Sequence, residues 1–301
     1  MADAFTLPAG MGFRRLSLDE LRMRGDLFGV LQIFEHPRTR GPRQYVLGVD
    51  VADGVGKDRS VVAVHRMGTI EEPEEQVALY VSDLITPQAL AFIVDAVGRL
   101  YVDGDHYEAL VAIECNNHGL STQDTLQLHL QYSHLYRWEY LDALDQKARF
   151  STKAGWVTTT RTRPMLLDKL YHSLTTVDPT TKQTDILVHS KLLLDELADF
   201  QTETTFAEAE AARGAHDDVV MATAIAHYVS WRMQGGEQEP LSERRVRHQA
   251  EKQARLVAAG PNAPKRDWRN TGTTAEEMKL GVEEDDDSVY DGERGSPLFL
   301  G

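Results

Sequence analysis

The stretch Tyr-Val-Leu-Gly-Val-Asp at residues 45–50 decides the fold, because a run of strand-forming residues ends there on an acidic side chain, Asp50. A second apolar run, residues 109–113, ends in the same way on Glu114. Short apolar runs bounded by turn signals are typical of buried strands. Asp217 and Asp218 then open a third apolar stretch, long enough for a helix. We therefore expect two strand ends and one helix start to bring distant carboxylates onto one small surface.

Carboxylates that converge in this way repel each other unless a cation neutralises them or some take up protons. Divalent ions such as Mg²⁺ prefer oxygen ligands, and a pair of them roughly 3.5–4 Å apart can activate water and stabilise a leaving oxygen in phosphodiester cleavage. The sequence therefore predicts a metal-dependent catalytic set of Asp50, Glu114 and Asp218. The structural alternatives are a turn-forming Asp50, a solvated Glu114 and a helix-capping Asp.

The choice between Asp217 and Asp218 depends on the helix that follows them. Asp218 shares a helical face with Ala222, which is small enough for close approach to the sheet. Asp217 shares a face with the bulkier Met221 and Tyr228. We predict that Asp218 is the direct metal ligand, and that Asp217, the competing candidate, caps the helix or acts through its charge.

Residues 43–234 alternate strand-like and helix-like patterns and predict an α/β fold. The predicted strands are Gln44–Val51, Ser60–Met67, Gln76–Ser82, Glu108–Glu114 and His134–Tyr140, and the predicted helices begin near Pro87 and at Ser121, Arg163, Lys191 and Asp217. Three strands in succession suggest an antiparallel meander, and the later alternation suggests parallel strands and flanking helices. This order resembles the ribonuclease-H-like mixed sheet.

The flanking segments differ in composition from this body. Residues 1–42 predict an N-terminal helix over Leu18–Phe34 and a linker, and residues 235–301 form a polar tail with separate basic and acidic blocks, typical of partly disordered segments. The formal net charge of −15 argues against coating nucleic acid through bulk positive charge. A single cysteine, Cys115, and the lack of a secretory or membrane-spanning pattern favour a soluble intracellular protein.

Residues 43–231 resemble the nuclease domain of the large terminases, the DNA-packaging enzymes of tailed bacteriophages. The matching pieces are the stretch at 45–50 followed by Asp58 and Ser60, the E-x-N-x-x-G pattern at 114–119, the G-W-x-T pattern at 155–158, and the G-x-H-D-D pattern at 214–218. The resemblance implies Mg²⁺- or Mn²⁺-dependent cleavage of double-stranded DNA during viral genome packaging in the host cytoplasm. The implied partners are phage DNA, the small terminase subunit and the portal protein.

The chain departs from that family at its front. Large terminases usually carry an ATPase motor marked by G-x-x-x-x-G-K-[ST], whereas Gly56-Lys57 is followed by Asp58 here. We expect the motor to be a separate polypeptide or to be missing from a nuclease fragment. The alternatives are a junction resolvase-like nuclease of the same fold and a DNA- or portal-binding module without catalysis.

Supporting roles are predicted for residues near the acids. His216 is a candidate for holding water or phosphate, and Asn116 for orienting Glu114 or bonding the DNA backbone, with structural roles as the alternatives. A locally basic segment predicts DNA-phosphate contacts, with a solvated loop as the alternative. Its residues are Lys147, Arg149, Lys153, Arg161 and Arg163.

Overall fold

The computed structural model describes residues 15–25, 27–41, 44–54, 56, 58–103, 107–116, 118–141, 148–178, 182–201, 210–211, 216–235 and 247–254. Side chains are not described at 139–141, 148–153, 200–201 and 210–211. The chain divides into two units, residues 1–250 and 251–301. In the second unit the description covers only the helical residues 251–254. Most of the predicted tail, 235–301, therefore lies outside the described residues.

The elements are numbered in chain order. The strands are β1 (Val30–Ile33), β2 (Tyr45–Asp50), β3 (Ser60–Arg66), β4 (Glu74–Ser82), β5 (Leu110–Ile113), β6 (Arg137–Leu141), β7 (Ala148–Ala154), β8 (Ile186–Leu187), β9 (Phe200–Gln201) and β10 (Glu210–Ala211). The helices are α1 (Leu18–Arg24), α2 (Pro87–Leu100), α3 (Gly119–Asp124), α4 (Thr162–Thr175), α5 (Lys191–Asp199) and α6 (Asp218–Met233). A π-helical turn, Thr125–His129, follows α3.

A mixed sheet with the strand order β1-β4-β3-β2-β5 forms the centre of the first unit. β2, β3 and β4 form an antiparallel meander. β5 pairs with β2 in parallel, and β8 pairs with β4 in parallel beyond the end of β1. The predicted ribonuclease-H-like mixed sheet, a meander extended by parallel strands, is confirmed.

Helices cover both faces of this sheet. Side chains alternate between the two faces of a strand, so Leu47 and Val49 pack in the core beneath α2, whereas Val46 packs in the core beneath α6. Asp50, an even number of residues from Val46, lies on the α6 face. The same alternation along β5 puts Ala112 in the α6 core and directs Glu114 to that side.

Gly48 lets α6 approach the sheet closely. A Cβ atom at this position would stand 2.1 Å from the Ala222 carbonyl oxygen and 2.6 Å from the Ala226 nitrogen, so no other residue fits without displacing the helix. Asp50 lies two residues after Gly48 on the same strand face, and Asp218 lies one helical turn before Ala222. The contact at Gly48 therefore brings these two carboxylates to the same edge of the sheet.

The structure departs from the sequence expectation at two elements, one in its length and one in its pairing. The predicted helix over Leu18–Phe34 ends at Arg24, because Gly25 adopts a left-handed conformation (φ 70°) that stops it. The chain then forms β1 along the edge of β4, so the sheet includes residues from the segment 1–42. The predicted strand His134–Tyr140 makes one parallel bridge from Leu135 to Val111, after which β6 pairs with β7 in a separate sheet.

Candidate active site

Asp50 and Glu114 come together where β2 and β5 end. The two strands run parallel with Val49 opposite Ile113, so the next residue on each strand stands at the same sheet edge. Burial raises the pKa of Asp50 well above its usual range, and the negative charge of Glu114, a hydrogen bond with it and the charge of Asp218 raise it further. A hydrogen bond between two carboxyl groups requires a proton on one of them, so the pair shares a proton in this arrangement.

The backbone around Glu114 is held on both sides. Its N–H donates to the Val49 carbonyl at 2.8 Å, and the neighbouring Trp156 N–H donates to the Ile113 carbonyl at 2.7 Å. Gly119 packs so closely that a Cβ atom there would lie 1.7 Å from the Glu114 carbonyl oxygen. The glycine of the E-x-N-x-x-G pattern is therefore required by packing against the acidic residue.

Asn116 contacts the Glu114 carboxylate directly. Its Nδ2 atom donates to Glu114 Oε1 at 3.1 Å and lies at the same distance from the Thr158 carbonyl. This amide joins the E-x-N-x-x-G and G-W-x-T segments, which are far apart in sequence. Of the alternatives for Asn116, the geometry is that of a group orienting Glu114.

Asp218 is the first residue of α6 and lies close to Asp50. Its Oδ2 atom accepts the backbone N–H of Arg59 at 3.1 Å, and His216 Nδ1 stands 3.4 Å from the same oxygen. Burial raises the pKa of Asp218; the Arg59 N–H opposes this shift, and the charge of Asp217 adds to it. Asp50, Glu114, Asp218 and His216 therefore form one group at this edge of the sheet.

Asp217 occupies the capping position of α6 but makes no capping hydrogen bond with its side chain. Its Oδ2 atom pairs instead with Arg163 Nη2 of α4. The predicted alternative that Asp217 caps the helix is wrong, because the side chain is directed to a cation 54 residues away in sequence. Its charge still adds to the rise in the pKa of Asp50.

Glu196 of α5 caps α6 in place of both aspartates, and sequence reasoning missed it. Its Oε2 atom accepts the N–H groups of Val219 and Val220 at 2.9 and 3.2 Å, while Oε1 pairs with Arg59 Nη1 at 3.2 Å. Burial raises the pKa of Glu196 to about 7, against the effect of the two N–H donors. The available sequence signal was an acid three residues after Leu193, on the buried face of α5.

The predicted DNA-contacting residues fall into three groups. Lys147 lies outside the described residues, and Arg149 and Lys153 are on β7, where side chains are not described. Arg161 is exposed at the start of α4. Arg163 is close to the acidic group through its ion pair with Asp217.

The donor chemistry of the acidic group suits a hard divalent cation, since Asp50, Glu114 and Asp218 supply only carboxylate oxygens. In the described part of the chain, however, no three His, Cys, Asp or Glu side chains are arranged as a set that could hold a metal ion. Asp50 and Glu114 are paired with each other, while Asp218 accepts the Arg59 N–H. Among the described helices, none is long and apolar enough to cross a membrane.

The chain is similar to solved nucleases of phage large terminases. The large terminase nuclease of the thermophilic phage G20c, in crystals with bound cobalt or magnesium, is 18% identical with a TM-score of 0.46, over 66% of this chain and 87% of that one. The nuclease domain of the large terminase of bacteriophage SPP1, with bound manganese, is 11% identical with a TM-score of 0.36, over 65% and 98%. No family model and no curated protein matches the sequence.

Proposed function

We propose that the chain is a divalent-metal-dependent endonuclease that cuts double-stranded DNA during phage genome packaging. The observation that carries the proposal is the pairing of the half-buried Asp50 with Glu114, with Asp218 close enough to raise the Asp50 pKa further. Such an arrangement of like charges destabilises a fold, and shifted carboxyl groups of this kind are typical of catalytic and metal-binding sites.

Asp50, Glu114 and Asp218 would hold Mg²⁺ or Mn²⁺, with two ions as the expected number. When bound, the ions lower the pKa of water for attack and neutralise the charge that develops on the phosphate. Holding a cation requires the proton shared by Asp50 and Glu114 to leave. Since the carboxylates repel each other, a cation relieves the same repulsion that keeps this proton in place.

The neighbouring side chains have distinct roles in this proposal. Asn116 keeps one oxygen of Glu114 oriented through its 3.1 Å hydrogen bond. His216, whose side chain is about one-third exposed beside Asp218, stands where it can contact a phosphate oxygen or water. Asp217 is a weaker candidate for metal ligation than Asp218, because its carboxylate is neutralised by Arg163.

DNA contact is assigned to the basic segment. Arg161 and Arg163 stand at the start of α4, and Lys147, Arg149 and Lys153 precede them in sequence. Contacts between basic side chains and phosphates position DNA without reading its sequence. The packaging role rests on the terminase-like motifs, which also suggest action in the host cytoplasm with a small terminase subunit and a portal protein.

Plasmid cleavage tests the proposal. Supercoiled DNA incubated with the purified chain and Mn²⁺ or Mg²⁺ should be nicked and linearised without ATP, and EDTA should stop the reaction. Asp50→Asn is the matched control, since it removes one site charge with little change in volume. Metal-independent cutting, or equal cutting by Asp50→Asn, would contradict the proposal.

The same preparation separates the alternatives. A resolvase-like nuclease would cut a four-way junction in strong preference to linear duplex. A DNA- or portal-binding module would bind duplex DNA in a shift assay but leave it intact with either metal. The terminase-like proposal predicts cutting of linear duplex at a rate at least equal to that of the junction.

A further inference from the structure

The carboxylate of Glu196 joins three segments of the chain beneath the acidic group. One oxygen accepts two of the free N–H groups in the first turn of α6, those of Val219 and Val220, and the other pairs with Arg59 just before β3. The Glu196 side chain is 6% exposed and that of Arg59 is 30% exposed. A buried carboxylate with this number of charge-assisted partners fixes their relative positions.

Asp218 is held by the same carboxylate from two directions. The backbone N–H of Arg59 donates to Asp218 Oδ2, and the Arg59 guanidinium pairs with Glu196. On the other side, Asp218 is followed directly by Val219, whose N–H donates to Glu196. Asp218 thus lies in a closed ring of contacts that begins and ends at Glu196.

The capping contact also releases both aspartates of α6 from capping the helix. The free N–H groups at a helix start are usually satisfied by the side chain of the residue at the capping position. Here Asp217 makes no such bond. Because Glu196 supplies the acceptor from another helix, Asp218 is not drawn back onto its own backbone.

Glu196 is itself fixed relative to the sheet. The side-chain oxygen of Gln76 on β4 accepts the backbone N–H groups of His189 and Ser190, at 3.1 and 2.9 Å. Ser190 Oγ then accepts the Leu193 N–H at the start of α5. These contacts connect the sheet to α5, and Glu196 connects α5 to the start of α6.

We propose that Glu196 is a positioning residue of the nuclease site, which sets the place of Asp218 relative to Asp50 by anchoring the first turn of α6 and Arg59 together. The inference rests on the proposed function, because it assigns Asp218 to the metal-binding group. Residues that orient metal ligands without contacting the metal commonly change metal affinity about 10- to 100-fold when they are replaced.

Three variants test the proposal against a matched control. Glu196→Gln keeps an oxygen for the two N–H groups but loses the charge that pairs with Arg59; Arg59→Gln removes the same pair from the other side; Glu196→Ala removes both contacts. The control is Asp195→Asn, an exposed acid on the same helix that pairs with Lys191. Mn²⁺ affinity is measured by calorimetry without DNA, and cleavage is measured against Mn²⁺ concentration.

We expect Glu196→Gln and Arg59→Gln each to weaken Mn²⁺ binding about tenfold, and Glu196→Ala to weaken it further, within the range for ligand-orienting residues. The double variant of Glu196→Gln with Arg59→Gln should bind Mn²⁺ like either single variant, because both remove one contact. Saturating Mn²⁺ should restore most of the cleavage rate. In metal-free protein, amide exchange at Val219 and Val220 should be faster for Glu196→Ala, while Asp195→Asn should match wild type throughout.

Suppose that the wild-type protein binds Mn²⁺ and cleaves DNA. If Glu196→Gln and Arg59→Gln then bind Mn²⁺ with wild-type affinity, the inference about Glu196 is overturned while the proposed function stands. Weakened affinities that add in the double variant would overturn it as well, since the two residues would then act separately. If wild-type protein neither binds Mn²⁺ nor cleaves DNA, the proposed function fails and the inference fails with it. Should Glu196→Ala not fold, the two Gln variants and their double variant still decide.

Discussion

The α6 face of the sheet carries carboxylates at two places, and their surroundings shift the carboxyl pKa values in opposite directions. At one end, Asp50 faces Glu114 and Asp218, and its pKa is raised well above the usual range. Near the other end, Glu74 is 3% exposed, yet neighbouring histidines outweigh the effect of burial and lower its pKa to about 2. Asp50 pairs with Val61 and Val46 with His65, so the two places are four residues apart along β2.

The histidines around Glu74 explain the difference. His65 Nδ1 lies 2.6 Å from Glu74 Oε1 in a hydrogen bond. His227 Nδ1 of α6 lies 3.1 Å from the same oxygen, although without hydrogen-bond geometry. A buried acid that is hydrogen-bonded to a histidine supports the fold, whereas a partly buried acid beside other acids opposes it until a cation or proton arrives. Of these two places, only the Asp50 group keeps negative charge that an added cation can neutralise.

Asp50→Asn should cause the largest change in cleavage. Cleavage should fall by about 100- to 1000-fold, the usual cost of removing a group that stabilises transition-state charge. In EDTA the same variant should unfold at a higher temperature than wild type, with a gain of about 1–2 kcal/mol, because a repelling carboxylate is gone. Calorimetric unfolding and plasmid cleavage measure the two effects. A variant that loses both activity and stability would show that Asp50 supports the fold as Glu74 does.

Glu74→Gln should have the opposite outcome on stability. The amide keeps an oxygen but weakens the bond to His65, and a hydrogen bond to a charged group contributes about 1.5–3 kcal/mol. Chemical denaturation should show this loss, while cleavage at a temperature where the variant is folded should stay within about threefold of wild type, since Glu74 is remote from the acidic group. A loss of Mn²⁺ affinity in folded Glu74→Gln would contradict the prediction that Glu74 and the Asp50 group act independently.

The fold and the acidic group were predictable from sequence to the extent that they depend on local patterns. Asp50 and Glu114 end apolar strands, and Asp218 begins a helix, so chain order alone indicated their meeting. The partners of the helix aspartates were not predictable, because the Arg59 N–H and the Arg163 side chain reach Asp218 and Asp217 across long separations in sequence. Met221 and Tyr228 are buried, as Ala222 is, so the size of the helix residues did not separate Asp217 from Asp218.

In metal-free protein, Glu74 and Asp50 should also make the free energy of unfolding depend on pH in opposite ways. Glu74 has a folded-state pKa of about 2, below its ordinary 4.5, so its stabilising contribution is present above pH 4.5 and is lost as the pH falls toward 2. Asp50 has a raised pKa, so its contribution is present below pH 3.8 and is lost as the pH rises through the folded-state value. The free energy of unfolding of each variant is subtracted from that of wild type at each pH. This difference should rise with pH for Glu74→Gln and fall with pH for Asp50→Asn. Parallel slopes would contradict the assignment.

The smallest effect is expected from Asp217→Asn, and it separates the two adjacent aspartates of α6. The charge of Asp218 raises the pKa of Asp50 more than the charge of Asp217 does, and Asp217 is paired with Arg163. Asp218→Asn should therefore lower cleavage as far as Asp50→Asn does, while Asp217→Asn should reduce it only about two- to fivefold, on the scale of a partly exposed ion pair of up to about 1 kcal/mol.

Arg163→Gln is the matched control for Asp217→Asn, because it breaks the same ion pair from the other side. If Asp217 acts only through this pair, the two variants should lower kcat equally, and Arg163→Gln should in addition raise KM through the lost phosphate contact. Rates are compared at saturating Mn²⁺ in variants of matched thermal stability. A greater loss in Asp217→Asn than in Asp218→Asn would make Asp217 the ligand, and the Arg163 pair would then be a contact that metal binding must break.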